Sequence, residues 1–354
     1  MEQEILRMLK EITEASGVSG YEKEIREVIK KYVSSYGEIM EDRLGSLIIK
    51  KKGEKETPKI MLSAHMDEIG FIVKSITKDG FLKFIPLGGW WDQVLLSQRV
   101  IVKTAKGDIL GVIGSKPPHI LTEEERKKMV EKKDMYIDIG AKSEEEAKKM
   151  GVAPGDPIIP YSEFTPLSNP KFLLGKAWDD RVGCALAIEI LKELKDISHP
   201  NCVYVSFTVQ EEVGLRGATT SSYLINPDVG IVLESDIATD VPGIEQEKPI
   251  SLGNGPSLIL YDATMIPNVN LRRLFIETAE SLNIPLQFSA LERGGTDGGR
   301  IHINAKGVPS IVIGIPARYI HSHASIIHLE DFLSAKKLIV EVIKRLDEKT
   351  VSKL

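Results

Sequence analysis

The stretch "CVYVSFTVQEE" (residues 202–212) is a nearly continuous apolar run that ends in two adjacent glutamates. Such a run is typical of a strand that is buried on both faces, as in a parallel sheet. Neighbouring side chains of a regular strand point to opposite faces, so either Glu211 or Glu212 would face the core as a costly buried charge. The pair therefore indicates that the strand ends here and that the backbone turns.

Apolar strands alternate with amphipathic helices on both sides of this stretch. The predicted strands are 46–52, 59–64, 202–209, 229–234, 285–289 and 309–315. The predicted helices are two within the first 35 residues and three at about 181–195, 269–282 and 330–347. This alternation predicts an α/β fold of three layers, in which helices cover both faces of a mainly parallel sheet. Ser19, with an acid three residues later, is the expected N-cap of the second helix.

Residues 69–163 differ in character from the rest of the chain. Short β-rich runs such as "GFIVKSI", "QRVIVKT" and "DILGVIG" are separated by the turn signals "KDG" and "KGD". They predict a β-barrel-like domain inserted into an α/β domain that comprises residues 1–68 and 164–354. The insertion either packs on its own α/β domain or mediates contacts between subunits.

The composition excludes several kinds of partner. The 354-residue chain has a net charge of −5 with both signs interleaved, so it offers no basic surface for nucleic acid or anionic membranes. No apolar stretch approaches the roughly 18 residues of a membrane span, and the N-terminus lacks a signal segment. Cys184 and Cys202 lie in apolar runs and are expected to be packed thiols. We therefore expect a cytoplasmic protein without nucleic-acid or membrane partners.

Polar side chains collect where the predicted strands end. These residues are His65 and Asp67, Asp179 and Asp180, Glu211 and Glu212, Glu234 and Asp236, and His321 and His323. In open α/β sheets, ligands bind beyond the carboxyl ends of the strands. A single histidine there is ordinarily structural, and an Asp-Asp pair before a helix is ordinarily a cap. Gathered together without compensation, however, these charges would repel one another strongly, and a divalent cation would cancel that cost.

The ligand types indicate which metal could bind and how many ions there are. Imidazole and carboxylate without thiolate suit zinc, cobalt or manganese. A catalytic zinc typically has three protein ligands and a water, so five ligands suggest two ions that share one carboxylate. The two histidines then divide between the ions.

Five motifs, in this order, resemble those of the tetrahedral aminopeptidases, which are dinuclear metallopeptidases of archaea and bacteria. They are "AHMDEIG" (64–70), "GKAWDDR" (175–181), "VQEEVGLRGA" (209–218), "GGTDGG" (294–299) and "PARYIHS" (316–322). The resemblance covers essentially the whole chain. It implies a metallopeptidase-type α/β domain, and subunits that pair into dimers and assemble into a hollow tetrahedral dodecamer.

The resemblance also implies a role for each site residue. Two divalent ions, zinc or cobalt, would be bound by His65, Glu234, Glu212 and His321, with Asp179 bridging them. Glu211 would be the general base, and the carboxylate of Asp67 would orient the His65 ring. The peptide between Asp179 and Asp180 would be cis. His323 would be a surface or pocket residue. Asp236 lies only two residues after Glu234, so the choice of Glu234 as the metal ligand stays open.

The implied reaction is removal of the N-terminal residue from short peptides with a free amine. Water activated by the two metals would attack the scissile carbonyl while Glu211 transfers its proton. Thr296 and Asp297 either line the substrate pocket or cap the helix that follows. Two alternatives stay open: a related dinuclear carboxypeptidase or deacylase, for which Arg318 could bind a carboxylate, and a glycoside hydrolase that uses paired carboxylates.

Overall fold

One large sheet forms the centre of the molecule. The structure is a computed structural model that describes residues 2–245 and 249–354. The strands of the large sheet are β1 (Glu38–Glu41), β2 (Leu47–Lys52), β3 (Lys59–His65), β10 (Thr165–Pro166), β11 (Phe172–Gly175), β12 (Cys202–Thr208), β13 (Val229–Ile237), β14 (Ser257–Ile259), β15 (Gln287–Ser289), β16 (Ser310–Arg318) and β17 (Ser325–His328).

The strand order is β1-β2-β12-β3-β13-β16-β17-β11-β10, and β14 joins β15 to β16. The four central strands β12, β3, β13 and β16 are parallel to one another, whereas β2, β14 and β17 pair antiparallel to this group. The predicted parallel sheet is therefore confirmed for the centre, and the flanks make the sheet mixed. The short connection between β1 and β2 permits only an antiparallel pair. Because the central strands run the same way, their carboxyl ends meet at one edge.

Helices cover both faces of this sheet, so the predicted three layers are present. The helices are α1 (Glu2–Glu14), α2 (Lys23–Val33), α3 (Glu123–Arg126), α4 (Glu144–Met150), α5 (Trp178–Leu194), α6 (Arg216–Ile225), α7 (Val269–Ser281), α8 (Gly298–Ile301), α9 (Leu329–Arg345) and α10 (Glu348–Val351). Helices α1, α2, α5, α7 and α9 share one apolar core with the sheet, and α6 and α8 pack into a second one. Helix α5 is buried along most of its length because it lies between the sheet and its neighbours α1, α2 and α9.

The chain between β3 and β10 forms a closed six-stranded barrel. Its strands are β4 (Gly70–Ile76), β5 (Leu82–Leu87), β6 (Arg99–Thr104), β7 (Gly107–Gly114), β8 (Tyr136–Asp138) and β9 (Pro157–Pro160). The barrel has its own apolar core, in which the rings of Phe71 and Trp90 stack 4.8 Å apart. The predicted barrel-like insertion is thus present, and the domain limits at 68/69 and 163/164 stay a prediction.

Two smaller expectations have different outcomes. Cys184 and Cys202 are free and buried, as predicted. Ser19 does not cap the second helix, because α2 begins at Lys23 and its preceding residue Glu22 makes no side-chain cap.

Within residues 2–245 and 249–354, no helix is both long and apolar enough to cross a bilayer.

Candidate metal centre

Three side chains from the edge of the sheet converge on a first group of ligand atoms. His65 ends β3, and its ring is 1% exposed. Its Nε2 atom lies 3.1 Å from Oδ1 of Asp179 and 3.6 Å from Oε1 of Glu234, which is on β13. The opposite ring atom, Nδ1, lies 3.0 Å from the backbone oxygen of Asp67. Donation of a proton from Nδ1 to that oxygen leaves Nε2 free to act as a ligand.

A second group is built around the other oxygen of the same aspartate. Nε2 of His321 lies 3.1 Å from Oδ2 of Asp179 and 3.7 Å from Oε2 of Glu212. In each group the three ligand atoms lie within 4.8 Å of one another. Asp179 thus offers one carboxylate oxygen to each group. The five side chains that the sequence predicted as metal ligands are therefore brought together, with one histidine in each group.

The barrel supports the second group through its first long connection. Nδ1 of His321 donates to the backbone oxygen of Gly89 at 2.6 Å, which leaves its Nε2 free to bind a metal. A Cβ atom added at Gly88 would lie 3.0 Å from Oε2 of Glu212, and one at Gly89 would lie 3.1 Å from Nδ1 of His321. Two glycines are therefore needed for the backbone to approach these ligands so closely.

The turn after β12 shows how two adjacent glutamates reach one site. The strand ends at Thr208, and Gln210 adopts a left-handed conformation with φ +56. Both Glu211 and Glu212 consequently line the same cavity instead of pointing to opposite faces. Oε2 of Glu211 lies 3.7 Å from Nε2 of His65, but Glu211 belongs to neither group of ligands.

Asp67 holds this turn in place. Its carboxylate accepts hydrogen bonds from the amides of Glu211 and Glu212 at 2.9 and 3.1 Å and from the Ser19 hydroxyl at 2.6 Å. The sequence predicted that this carboxylate orients the His65 ring. In the structure Nδ1 of His65 donates to the Asp67 backbone oxygen, and the nearer carboxylate oxygen, Oδ1, lies 3.5 Å from Nδ1.

The electrostatics of the centre favour a positive charge. Burial, together with neighbouring acids, raises the pKa of Glu212 to about 8 and that of Glu234 to about 7, and raises the pKa of Glu211 well above its usual range. Burial alone would lower the pKa of His321, but the carboxylates of Asp179 and Glu212 raise it to about 10. One oxygen of Glu212 is buried and has no hydrogen-bond partner among the described residues. These residues fit divalent cations, which would neutralise the acids, including the Glu212 carboxylate, whose Oε1 is the unpartnered oxygen and whose Oε2 faces His321.

Three neighbouring polar residues lie outside both groups of ligands. The peptide between Asp179 and Asp180 is cis, and the Asp180 carboxylate accepts from the amides of His65 and Gly183 at 3.1 and 3.0 Å. The carboxylate of Asp236 accepts from the Ser257 hydroxyl at 2.5 Å. His323 is not the surface or pocket residue that the sequence suggested. It is buried with its ring centre 5.2 Å from that of Trp90, which belongs to the barrel core.

A cavity of about 740 Å³ opens over the ligand groups. Thr296 lies in its wall and donates to Asp262 at 3.0 Å. Asp297 is not among the lining residues, since its carboxylate is buried and accepts from the hydroxyls of Ser63 and Thr208. The wall also contains Ile237, at the end of β13, and Leu291, Arg293 and Tyr319, which lie in loops without a periodic pattern; the sequence singled out none of them.

The whole-chain comparison identifies the family to which this arrangement belongs. The family model described as M42 glutamyl aminopeptidase matches residues 45–338. The chain belongs to the M42 aminopeptidase family. A lysyl aminopeptidase from Pyrococcus furiosus is 35% identical over 349 residues, which cover 96% of this chain and 98% of the relative. The prediction of a metal-dependent aminopeptidase related to the tetrahedral enzymes is confirmed.

Solved structures agree over nearly the whole length of this M42 chain. The TET aminopeptidase of a marine sediment Thaumarchaeota archaeon superposes with a TM-score of 0.97 at 50% identity, covering 99% of both chains. The TET1 peptidase of Pyrococcus horikoshii, described as assembling into a tetrahedron or a large octahedral shell, has a TM-score of 0.86 at 34% identity and covers 97% of this chain and 100% of that one. A Thermotoga maritima structure titled endoglucanase has a TM-score of 0.78 at 34% identity and covers 98% of each chain.

Proposed function

We propose that this M42 aminopeptidase binds two divalent ions and removes the N-terminal residue of short peptides. The observation that carries the proposal is the pair of ligand groups that share Asp179, one oxygen in each. His65 and Glu234 would complete one site, and Glu212 and His321 the other. Bound divalent ions supply Lewis-acid chemistry, since they acidify water and stabilise negative charge on oxygen.

Glu211 is the candidate general base. Its carboxylate lines the cavity 3.7 Å from Nε2 of His65 but is a member of neither ligand group. It would take a proton from the attacking water and deliver it to the amine of the departing peptide. Asp67 would act through the backbone, because its carboxylate fixes the amides of both Glu211 and Glu212. Thr296, in the wall of the cavity, would contact the substrate, whereas we assign Asp297 to holding the strands that carry His65 and Glu211.

The proposal also covers the identity of the metal, the oligomeric state and the cellular location. A set of imidazole and carboxylate ligands without thiolate favours zinc or cobalt. The buried free thiols Cys184 and Cys202 fit a reducing compartment, which supports a cytoplasmic location. The likeness to TET1, for which a dodecamer is described, supports a dodecamer, and we propose that the inserted barrel mediates its subunit contacts. Light scattering should then give a molar mass twelve times that of the chain.

A panel of aminoacyl-fluorophore substrates tests the activity. Glutamyl, lysyl and leucyl derivatives are offered both free and N-acetylated, to metal-depleted protein and to protein restored with zinc or cobalt. We expect hydrolysis of the free substrates only, and only after metal is restored. Equal rates of fluorophore release from acetylated substrates would replace the aminopeptidase with an endopeptidase, release of acetate with the fluorophore still attached would indicate a deacylase, and unchanged rates after verified metal removal would exclude the dinuclear mechanism.

The relative titled endoglucanase raises the glycoside hydrolase alternative again. Cellulose oligomers are therefore included in the same panel. Two histidines that present Nε2 to a shared carboxylate serve metal binding and have no role in a two-carboxylate glycosidase. We expect no glucan cleavage under conditions in which free aminoacyl substrates are hydrolysed.

A further inference from the structure

The turn that carries Glu211 and Glu212 is held by three successive backbone amides. The amide of Gln210 donates to Oε1 of Glu22 at 3.0 Å. The amides of Glu211 and Glu212 donate to the two oxygens of Asp67 at 2.9 and 3.1 Å. The first of the three contacts comes from a distant part of the chain, namely the loop between α1 and α2.

Glu22 occupies an unfavourable position for a charged side chain. It is 6% exposed, and none of the groups that shift its pKa is a lysine or arginine of the described residues. Burial and then the nearby Asp67 carboxylate raise its pKa to about 7. Its hydrogen bonds come from the amides of Gln210 and Gly20. A buried acid that binds amides instead of a cation contributes chiefly by fixing the backbone that it contacts.

The backbone that Glu22 contacts begins in a strained conformation. Gln210 has φ +56, a value that non-glycine residues adopt only where the surroundings impose it. The Gln210 side chain does not stabilise this conformation through Glu22, since its Oε1 accepts from Arg216 instead. The carboxylate of Glu22 is therefore the group that holds the first amide of the turn.

We propose that Glu22 is a positioning residue for Glu211, acting through the amide of Gln210. The inference rests on the proposed function, in which Glu211 is the general base and Glu212 a metal ligand. Asp67 fixes the amides of those two residues, and Glu22 fixes the residue at which the chain leaves β12. Loss of the Glu22 contact would let the turn relax at Gln210 and would shift the carboxylate of Glu211, the next residue, more than that of Glu212, since Asp67 still holds both amides.

The test compares variants that keep or remove the acceptor at position 22. Glu22→Leu removes it, Glu22→Asp withdraws it by one methylene, and Glu22→Gln keeps an oxygen of the same reach. Glu27→Gln, at an exposed site on α2, is the matched control. We expect kcat to fall at least tenfold in Glu22→Leu with KM within twofold and two ions still bound per chain. Glu22→Gln should stay within threefold of the parent protein, Glu22→Asp should fall between them, and Glu27→Gln should match the parent.

Hydrogen exchange measured by mass spectrometry on peptides that cover 209–214 gives a readout independent of activity. Exchange should accelerate in Glu22→Leu and Glu22→Asp and remain slow in Glu22→Gln. Unchanged kcat and unchanged exchange in Glu22→Leu would overturn the inference, and if that variant does not fold, the same result in Glu22→Asp would do so. If the parent protein proved to have no metal-dependent aminopeptidase activity, the proposed function would fail, whereas exchange would still report whether Glu22 holds the turn.

Discussion

Glu211 and Glu212 are adjacent in the chain, yet their surroundings give them different chemistry. Glu212 faces His321 and Asp179, and one of its oxygens has no hydrogen-bond partner among the described residues. Glu211 lies beside His65 outside both ligand groups. The difference arises because the strand ends before the pair and a left-handed residue redirects the backbone. A ligand and a base can therefore come from consecutive residues.

Exchanging each glutamate for glutamine separates the two roles. We expect Glu211→Gln to lower kcat by about 10²–10⁴, the usual contribution of a general base, while two ions remain bound. We expect Glu212→Gln to lose the ion shared with His321. Metal content measured by mass spectrometry alongside kinetics distinguishes these outcomes, and lost metal in Glu211→Gln would show that the two roles are reversed.

The side chains that form the site could be predicted from the sequence, whereas most of the residues that hold those side chains in place could not. Histidines and acids at strand ends, in motifs of recognisable order, identified the residues that the structure brings together. Glu22 and Gly89 escaped prediction because each joins a side chain to a main-chain group far along the chain: Glu22 accepts from the amide of Gln210, and the Gly89 carbonyl accepts from the His321 ring. Asp67 was found, but the hydrogen bonds of its carboxylate to the amides of Glu211 and Glu212 were not predicted. Contacts to main-chain atoms depend on the three-dimensional path of the chain and leave no residue-type signature.

The connection between β5 and β6 is the element that joins the barrel to the metal centre. Its Gly89 carbonyl accepts from His321, whereas the contact to Nδ1 of His65 comes from Asp67, next to the end of β3. The two histidines also differ in exposure, at 38% for His321 and 1% for His65. The second ligand group is thus the more open one and depends on a segment of the insertion.

Replacing Gly89 by alanine should weaken one metal site selectively. The added Cβ would lie 3.1 Å from Nδ1 of His321, so the ring must shift. We expect affinity for the second ion to fall about 10–100-fold, as for other residues that support metal ligands, with the first ion unaffected. Calorimetric titration with cobalt measures both affinities. Gly114→Ala on barrel strand β7 is the control, and equal loss of both ions in Gly89→Ala would contradict the expectation.

Regular elements were predicted well where apolar periodicity determined them. Helices α5, α7 and α9 and the central strands lie close to their predicted ranges. Ser19 was assigned to a cap because its spacing to Glu22 matches a capping box, but tertiary contacts prevail. Its hydroxyl donates to Asp67, and Glu22 binds the amide of Gln210. Ser19 and Glu22 therefore match the capping-box spacing, but in the structure both make contacts with residues far along the chain.

At the scale of the whole molecule, the fold gathers groups that repel one another. Chain segments around residues 65, 179, 212, 234 and 321 meet at one edge because the central strands are parallel. The sequence predicted this architecture, because strand–helix alternation and the turn-rich insertion are strong signals. It did not predict the antiparallel flanks, whose pairing depends on which edges remain free. The gathered acids make the stability of the entire domain sensitive to protons and metal.

That sensitivity gives a prediction with a definite sign. In the metal-depleted protein, the pKa of Glu234 is raised to about 7, that of Glu212 to about 8 and that of His321 to about 10, all above the values of an unfolded chain. Between about pH 5 and pH 9 the folded state therefore holds more protons than the unfolded state, and the free energy of unfolding must fall as pH rises. Asp67 and Asp179, whose pKa values are lowered, contribute the opposite slope only in acid. Thermal melts of chelated protein from pH 5.5 to 8.5 should show a decreasing Tm.

Metal should reverse this trend, because its binding displaces the same protons and is tighter when the acids are ionised. We expect the rise in Tm on adding cobalt to grow from pH 5.5 to 8.5. The double variant Glu212→Gln, Glu234→Gln provides the control, since it removes two of the titrating groups and should flatten the pH dependence of the chelated protein. A Tm of chelated protein that increases over this range would show that the acids of the centre are already ionised without metal, and that the cation is not what compensates their burial.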